Sequence, residues 1–264
     1  MADTVVLMYH ALYGPTFPKE RVPKEARSYA VAESAFRAQL GALKERHARV
    51  RSPADFPEGL PNEEELGIVI TFDDGYASDV LIAKDMLQEH GFGALFFVTS
   101  DFLGTPGMLS EGDLKGLADA GFAVGAHGRT HRFFSTLGHD ELREELTVSK
   151  KRLEDVTGRA VKHLALPGGR FHGDLVTLAE EAGYRAIFTS VPGINTGRDS
   201  LLFKRIAVKD GTDGASFAKI IAGDGRFIGK LVKKAKFLAG LKSILGDNIY
   251  AVLRDGFYGI FGGS

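Results

Sequence analysis

Two acidic residues and two histidines stand where they could bind one metal ion together. Asp73 and Asp74 close one apolar run, and His127 and His131 follow another, with three residues between them. Adjacent carboxylates repel each other unless a cation or a proton is shared between them. Two imidazoles four residues apart lie on one face of a helical turn, which suits two metal ligands from one segment. These four side chains are our candidates for a metal site.

Each pair, taken alone, also has an ordinary structural explanation. Asp-Gly is a common turn dipeptide, and eight histidines in 264 residues make an HxxxH spacing easy to obtain by chance. Their placement strengthens both pairs, because each follows an apolar run typical of a strand. The carboxyl ends of parallel strands meet at one edge of a sheet, so we expect both pairs at the same rim.

Two further features follow apolar runs in the same way. His10 ends the first run, and the turn Pro167-Gly168-Gly169 follows a later one. A single His beside a strand is more often structural than catalytic. A Pro-Gly-Gly turn lets the backbone approach a ligand, or it only reverses the chain. The chain has no cysteine, so any metal must be bound by nitrogen and oxygen ligands.

Short apolar runs that alternate with helical patterns must position these residues. The alternation predicts βα units and a parallel sheet, and about seven units favour a distorted (β/α)7 barrel with parallel strands over an open doubly wound sheet. Helices are expected to end near Gly91, Gly121, Gly158 and Gly183. Segments 11–30 and 53–65 are predicted to be surface loops. The predicted strands are 5–8, 67–72, 94–99, 122–126, 163–166, 186–189 and 206–208.

The chain is predicted to divide into a barrel domain, residues 1–210, and a C-terminal basic helical extension, residues 211–264, packed on or attached to the barrel. Within the extension, segment 226–254 interleaves lysines with apolar residues in the pattern of a basic amphipathic helix. Such a helix packs its apolar stripe on its own domain, or it makes peripheral contact with an anionic membrane surface. The sequence leaves both interpretations open.

Composition excludes several classes of protein. The chain has 33 Lys and Arg residues against 34 Asp and Glu, so no net field would recruit nucleic acid. No run approaches the roughly 20 apolar residues of a membrane span. The first residues lack the features of a signal peptide, so the chain as given is expected to be cytoplasmic. A secreted protein whose leader had been removed would look the same.

The motifs together resemble those of the polysaccharide deacetylase family, metal-dependent carbohydrate esterases that include chitin and peptidoglycan deacetylases. The family signature TFDDG stands at residues 71–75 and its HxxxH signature at residues 127–131, and the likeness extends from Val5 to about Lys209. The resemblance implies a distorted barrel that binds one divalent ion. Zinc is the usual metal, with cobalt, nickel and iron(II) as alternatives. The implied reaction removes an acetyl group from an N-acetylated sugar or polysaccharide.

The resemblance also implies a role for individual residues. Asp74, His127 and His131 match the metal ligands of the family, and Asp73 matches its general base. The usual late LxH motif is missing, but the opening Leu-Met-Tyr-His looks like a permuted arrangement in which that strand comes first. His10 is therefore the candidate general acid.

The sequence departs from the family pattern at two places. The Arg that usually pairs with the base aspartate is replaced by Ala165, and we hypothesise that Arg205 supplies the missing cation. The turn at Pro167 and Gly168 would then bind or support the substrate. The chain has no Trp, so stacking on the sugar falls to Tyr, Phe or His, or is absent.

Three rival functions remain open at this stage. The missing Arg allows a catalytically impaired glycan-binding protein with the same fold. The same site would serve a deacylase of small non-sugar amides. Two histidines and one carboxylate also suit an iron site that activates oxygen, because ligand types alone do not select the metal.

Overall fold

A parallel sheet that curls into a half-barrel forms the centre of the protein. The structure is a computed structural model that describes residues 3–50, 65–169, 171, 173–196 and 201–239. Among these residues, nine strands join the sheet in the order β10-β9-β8-β7-β6-β5-β1-β11, with β4 beside β5, while β2 and β3 pair separately. The strands are β1 (Thr4–Tyr9), β2 (Leu12–Tyr13), β3 (Val31–Ala32), β4 (Arg49–Val50), β5 (Gly67–Phe72), β6 (Leu95–Val98), β7 (Ala123–Ala126), β8 (His163–Ala165), β9 (Ala186–Phe188), β10 (Leu202–Phe203) and β11 (Ile206–Ala207).

Helices connect the strands and cover the outside of the sheet. Ser110 caps the start of α3 by accepting from the Asp113 N–H, and Gly158 ends α4 in a left-handed conformation. A π-helical turn, Asp79–Lys84, leads into α2. The α-helices are α1 (Glu33–Glu45), α2 (Asp85–His90), α3 (Glu111–Asp119), α4 (His139–Thr157), α5 (Leu175–Glu181) and α6 (Gly214–Ile221), and a further helix runs from residue 225 to at least residue 239.

Alternation of side chains along the strands divides the apolar residues between two cores. The larger core lies between the sheet and the helices, and it includes Leu7 and Ile70. The smaller core lies on the other face of the sheet, where side chains from successive strands meet. Its members are Val6, Val69, Leu95, Phe97, Ala165, Ala186, Phe188 and Phe203.

A short segment joins the two edges of the curled sheet. β10 pairs with β9 at one edge, β11 pairs with β1 at the other, and only Lys204 and Arg205 separate these two strands. The Arg205 N–H donates to the Val191 carbonyl at 3.0 Å, and Thr4 and Asn195 exchange two backbone hydrogen bonds of 2.9 Å. We call residues 202–207 the seam. It places Arg205 between the two edges of the barrel.

The sequence-based fold class is confirmed, and all seven predicted strands are present. The prediction that segment 11–30 is only a surface loop is wrong, because it contributes β2 and the buried side chains of Phe17 and Val22. Helix α1 was not predicted, since no side chain caps its start at Ala32. Of the predicted loop 53–65, residues 53–64 lie outside the described residues.

The described part of the C-terminal extension packs its apolar side chains on the larger core. Phe217 and Ile220 of α6 and Ile228 of the next helix are buried there. Four lysines of that helix, at positions 230, 233, 234 and 236, are exposed. The predicted segment 226–254 lies outside the described residues beyond position 239. None of the described helices is long and apolar enough to cross a bilayer.

Candidate metal centre

The carboxyl ends of three strands of the sheet carry the candidate residues. Asp73 and Asp74 follow β5, His127 follows β7, and His10 follows β1. These strands are parallel and lie close together in the order β7-β6-β5-β1, so their ends share one rim of the barrel. The rim expected from the sequence is therefore present.

Asp74, His127 and His131 form a three-residue cluster at this rim. One oxygen or nitrogen atom from each lies within 4.8 Å of the others. Asp74 Oδ1 is 3.4 Å from His127 Nε2 and 3.2 Å from His131 Nε2, yet this buried oxygen makes no hydrogen bond within the described part of the chain. A buried carboxylate oxygen that faces two imidazole nitrogens without bonding to them fits a shared divalent ion.

The backbone around the ligands is shaped for this convergence. Asp74 has φ of 77°, in the left-handed region that non-glycine residues rarely adopt. The His127 Nδ1 lies 3.0 Å from the Ala165 carbonyl oxygen, which assigns the proton to Nδ1. The lone pair of Nε2 is then free for a metal, as is usual where a carbonyl orients a ligating histidine.

The chain makes no helical turn between His127 and His131. This segment has no helical structure, and both Gly128 (φ 75°) and His131 (φ 64°) are left-handed. The imidazoles meet all the same, with 5.0 Å between ring centroids. An irregular turn thus brings the two side chains as close as one face of a helix would.

Asp73 is turned toward a buried arginine. Its Oδ1 accepts from Arg205 Nη1 at 2.6 Å and its Oδ2 accepts from Arg205 Nη2 at 2.8 Å. Arg205 Nε donates to the Thr189 carbonyl at 3.0 Å, and Nη1 donates to Thr71 Oγ1 at 3.3 Å. Arg205 has 0% and Asp73 2% of the side chain exposed. Arg205 therefore pairs with Asp73, and Ala165 stands where the family usually has the Arg that makes this pair.

The cations and imidazoles around the two aspartates keep both ionised. Burial alone would raise the pKa of Asp73, but the Arg205 guanidinium outweighs it and the pKa is lowered. Burial opposes ionisation of Asp74 too, and the imidazoles of His127 and His131 bring its pKa well below the usual range. The pKa of His131 is raised, because the Asp74 carboxylate outweighs burial.

His10 lies at the same rim, on the side of β1. Its Nδ1 is buried and has no hydrogen-bond partner within the described residues, and its ring packs on Tyr29 with 4.8 Å between centroids. The Lys209 ammonium lies 4.2 Å from the centre of the Tyr29 ring. Burial lowers the pKa of His10, against the opposing effect of the Asp74 and Asp73 carboxylates. The imidazole is therefore mainly neutral at pH 7 in the free protein.

The Pro167 turn follows β8 and supports the rim by packing. Pro167 is buried, and Gly168 has φ of 61°. A Cβ atom on Gly168 would lie 2.5 Å from the Phe133 ring, so a larger residue would collide with that ring. A role for Pro167 and Gly168 in binding substrate remains a prediction.

Sequence reasoning missed two buried carboxyl groups near the rim. Glu145 of α4 has 5% of its surface exposed and accepts hydrogen bonds from the turn between His127 and His131. Asp79 is fully buried, and neither of its oxygens has a hydrogen-bond partner within the described residues. A single acidic residue in a helical pattern carries no signal of burial, so neither was recognisable from spacing.

The chain is similar in sequence to known polysaccharide deacetylases. Residues 61–187 match the family profile described as polysaccharide deacetylase. YxkH of Bacillus subtilis (strain 168), classed with the polysaccharide deacetylases, is 25% identical over 225 residues, which cover 83% of this chain and 76% of YxkH.

Solved structures share the fold. The deacetylase PplD of Streptococcus pyogenes, in complex with acetate, is similar with a TM-score of 0.73 at 21% identity, over 83% of this chain and 98% of PplD. A polysaccharide deacetylase from Bacillus cereus is similar with a TM-score of 0.70 at 27% identity, over 83% of this chain and 69% of that one.

Proposed function

Since the chain belongs to the polysaccharide deacetylase family, we propose that it is a metal-dependent hydrolase that removes N-acetyl groups from an N-acetylated sugar or polysaccharide. One observation carries the proposal: the two adjacent aspartates have different nearest partners, although His127 Nε2 also lies 4.0 Å from Asp73 Oδ2. Asp74 faces two imidazoles, and Asp73 is held by Arg205. This separation suits a metal ligand beside a general base.

Asp74, His127 and His131 would hold the divalent ion, with zinc the favoured metal. A bound ion of this kind lowers the pKa of water toward about 7 and polarises the carbonyl of the acetyl group. Three protein ligands leave further coordination positions open, which is typical of a catalytic site. The nitrogen and oxygen donors fit zinc, cobalt, nickel or iron(II), and their types alone do not select among these.

Asp73 would accept a proton from the attacking water. The bidentate contact with Arg205 fixes both carboxylate oxygens, at 2.6 and 2.8 Å, and each oxygen retains a further lone pair. The same contact lowers the pKa of Asp73 and so weakens it as a base. The contact with Arg205 therefore makes Asp73 a weaker base. It also fixes the orientation of the Asp73 carboxylate and keeps it ionised at neutral pH.

His10 would donate the proton that the departing amine requires. His10 follows β1, which pairs with β5, the strand that leads into Asp73 and Asp74, and its proposed role depends on the protonated form. The Asp73 and Asp74 carboxylates favour that form, although burial lowers the pKa of His10 overall. The Tyr29 ring holds the imidazole from one side.

Acetate release tests the proposed function. The full chain, stripped with a chelator and resupplied with Zn²⁺ or Co²⁺, is incubated with N-acetylglucosamine oligomers, with peptidoglycan and with small N-acetyl amides. We expect acetate only with metal, and more from the glycans than from the amides. Preference for the small amides would instead identify a deacylase of non-sugar substrates.

Two aspartate variants complete this test. Asp73→Asn is expected to lower turnover by roughly a hundredfold or more, because an amide cannot accept the proton. Asp140→Asn is the matched control, since the Asp140 side chain is fully exposed on α4. Acetylated glycan that binds but is never hydrolysed, with metal present, would contradict the proposal and favour a glycan-binding protein.

A further inference from the structure

The turn that joins His127 to His131 is held in a conformation that its own sequence does not favour. His131 is left-handed without being glycine, a conformation that is strained unless surrounding contacts compensate. The Gly128 carbonyl accepts from the Ser100 N–H at 3.2 Å, and the Arg129 carbonyl accepts from the Asp101 N–H at 2.9 Å. These two bonds tie only the carbonyl side of the turn to the segment after β6.

Glu145 of α4 holds the donor side of the same turn. Its Oε2 accepts from the Arg129 N–H at 2.6 Å and from the Thr130 N–H at 3.0 Å. Its Oε1 accepts from the Thr130 hydroxyl. All three donors belong to the residues between His127 and His131. The hydrogen bonds that a buried carboxylate accepts are stronger than those that a neutral acceptor would form with the same donors.

The close fit of the turn explains why position 128 is glycine. A Cβ atom there would lie 3.0 Å from Glu145 Oε2 and 3.1 Å from the Phe134 ring. The turn therefore lies in close contact with Glu145 of α4 and with the Phe134 ring. The same turn leads to His131, whose Nε2 lies 3.2 Å from Asp74 Oδ1.

We propose that Glu145 is a positioning residue for the metal centre, which sets metal affinity by fixing the turn that carries two of the three ligands. The inference rests on the metal-dependent function proposed above. Glu145 acts through backbone groups of the turn and contacts the reacting atoms at no point of the mechanism. Partners that orient metal ligands typically contribute 10- to 100-fold to metal affinity.

Metal titration of the full chain tests this role with three variants. Chelator-stripped protein is titrated with Zn²⁺ against a chromophoric competitor, and the Co²⁺ form is examined by visible absorption. Glu145→Ala is expected to weaken Zn²⁺ binding about 10- to 100-fold and to alter the Co²⁺ bands. Glu145→Gln should be intermediate, because the amide oxygen still accepts both backbone bonds and the Thr130 hydroxyl can accept from the amide N–H.

Glu144→Gln is the matched control. Glu144 is the neighbouring residue of α4, is largely exposed, and pairs with the Arg129 side chain rather than with the backbone of the turn. We expect its Zn²⁺ affinity and Co²⁺ spectrum to match wild type. All measurements are made where circular dichroism reports a folded chain, so that a loss of stability alone does not alter the affinity.

The outcomes separate the two proposals. Wild type that binds no divalent ion would overturn both the metal-dependent function and this inference. Wild type that binds Zn²⁺ tightly while Glu145→Ala binds it equally well, with the same Co²⁺ spectrum, would overturn the role of Glu145 alone. If Glu145→Ala does not fold, Glu145→Gln decides, and wild-type affinity in that variant overturns the role.

Discussion

Replacing Arg205 by Ala is expected to reduce the stability of the protein and to impair Asp73 in its proposed role as general base. The two groups form a bidentate ion pair with 0% and 2% of their side chains exposed, so solvent does not screen it. Removing one partner of such a buried pair costs about 3–5 kcal/mol, because the other charge remains buried. The hydrogen bond from Arg205 Nε to the Thr189 carbonyl is lost as well.

The loss should depend on pH in a defined direction. The pKa of Asp73 in the folded wild type lies below its unfolded value, so the pair stabilises the fold above the ordinary Asp range. That stability disappears as the pH falls through the folded pKa. Without Arg205, burial raises the pKa of Asp73 instead. The difference in unfolding free energy between wild type and Arg205→Ala should therefore be largest near neutral pH and narrow below about pH 4.

Activity should fall with the same substitution. An Asp73 carboxyl that is protonated, or free to rotate, no longer accepts a proton from water in a fixed position, which costs roughly a hundredfold or more. Arg205→Lys keeps a positive charge but loses the two-pronged contact and the Thr189 bond. We expect it to fall between wild type and the alanine variant.

Urea unfolding in excess chelator measures the stability of these variants, and acetate release with Zn²⁺ measures turnover. Arg143→Ala is the matched control, because Arg143 pairs with Glu181 at 3.0 Å with both side chains half exposed. Exposed pairs of this kind contribute about 1 kcal/mol or less. Arg205→Ala that unfolds within 1 kcal/mol of wild type at pH 7, or that keeps wild-type turnover, would refute the reasoning.

Three further predictions follow from other groups. Asp79→Asn should raise the unfolding free energy of the metal-free protein in chelator at pH 7. Burial, followed by the Asp74 and Asp73 charges, raises the pKa of Asp79, so ionisation of this carboxyl favours the unfolded state of the wild type. The gain should vanish near pH 4 in urea titrations, and a constant gain would contradict this. His10→Ala should lower turnover about a hundredfold with unchanged metal content by elemental analysis, and wild-type turnover would remove His10 from the mechanism. If the basic helix contacts membranes, the full chain should float with anionic and not with neutral vesicles, and charge reversal of its four exposed lysines should abolish flotation. A chain that stays in the soluble fraction with both would exclude that contact.

The sequence predicts the seven principal strands because each is a continuous apolar run long enough to be recognised. It does not predict β2, β3, β4 and β10, which have two residues each. β11 is equally short, but its apolar run continues through Val208 and is recognisable for that reason. Chemistry-bearing residues at strand ends were foreseeable for the same reason, since parallel strands share one rim.

The geometry of the site depends on contacts distant in sequence and could not be read from spacing. The left-handed His131 is held through Glu145, 14 positions away, and no local pattern indicates this pairing. Arg205 was suggested by its place before a strand. Arg205 and Asp73 are 132 positions apart along the chain. Their bidentate contact depends on how the two edges of the sheet meet.

The seam also bears on aggregation through the edges of the sheet. A sheet that ends in open strands offers unpaired N–H and C=O groups, which can recruit a strand from another molecule. Residues 202–207 occupy those groups on β9 and on β1 with a single stretch of chain. If that stretch came loose, two templates for intermolecular pairing would appear at once. Solubility and the orientation of Asp73 therefore depend on the same six residues.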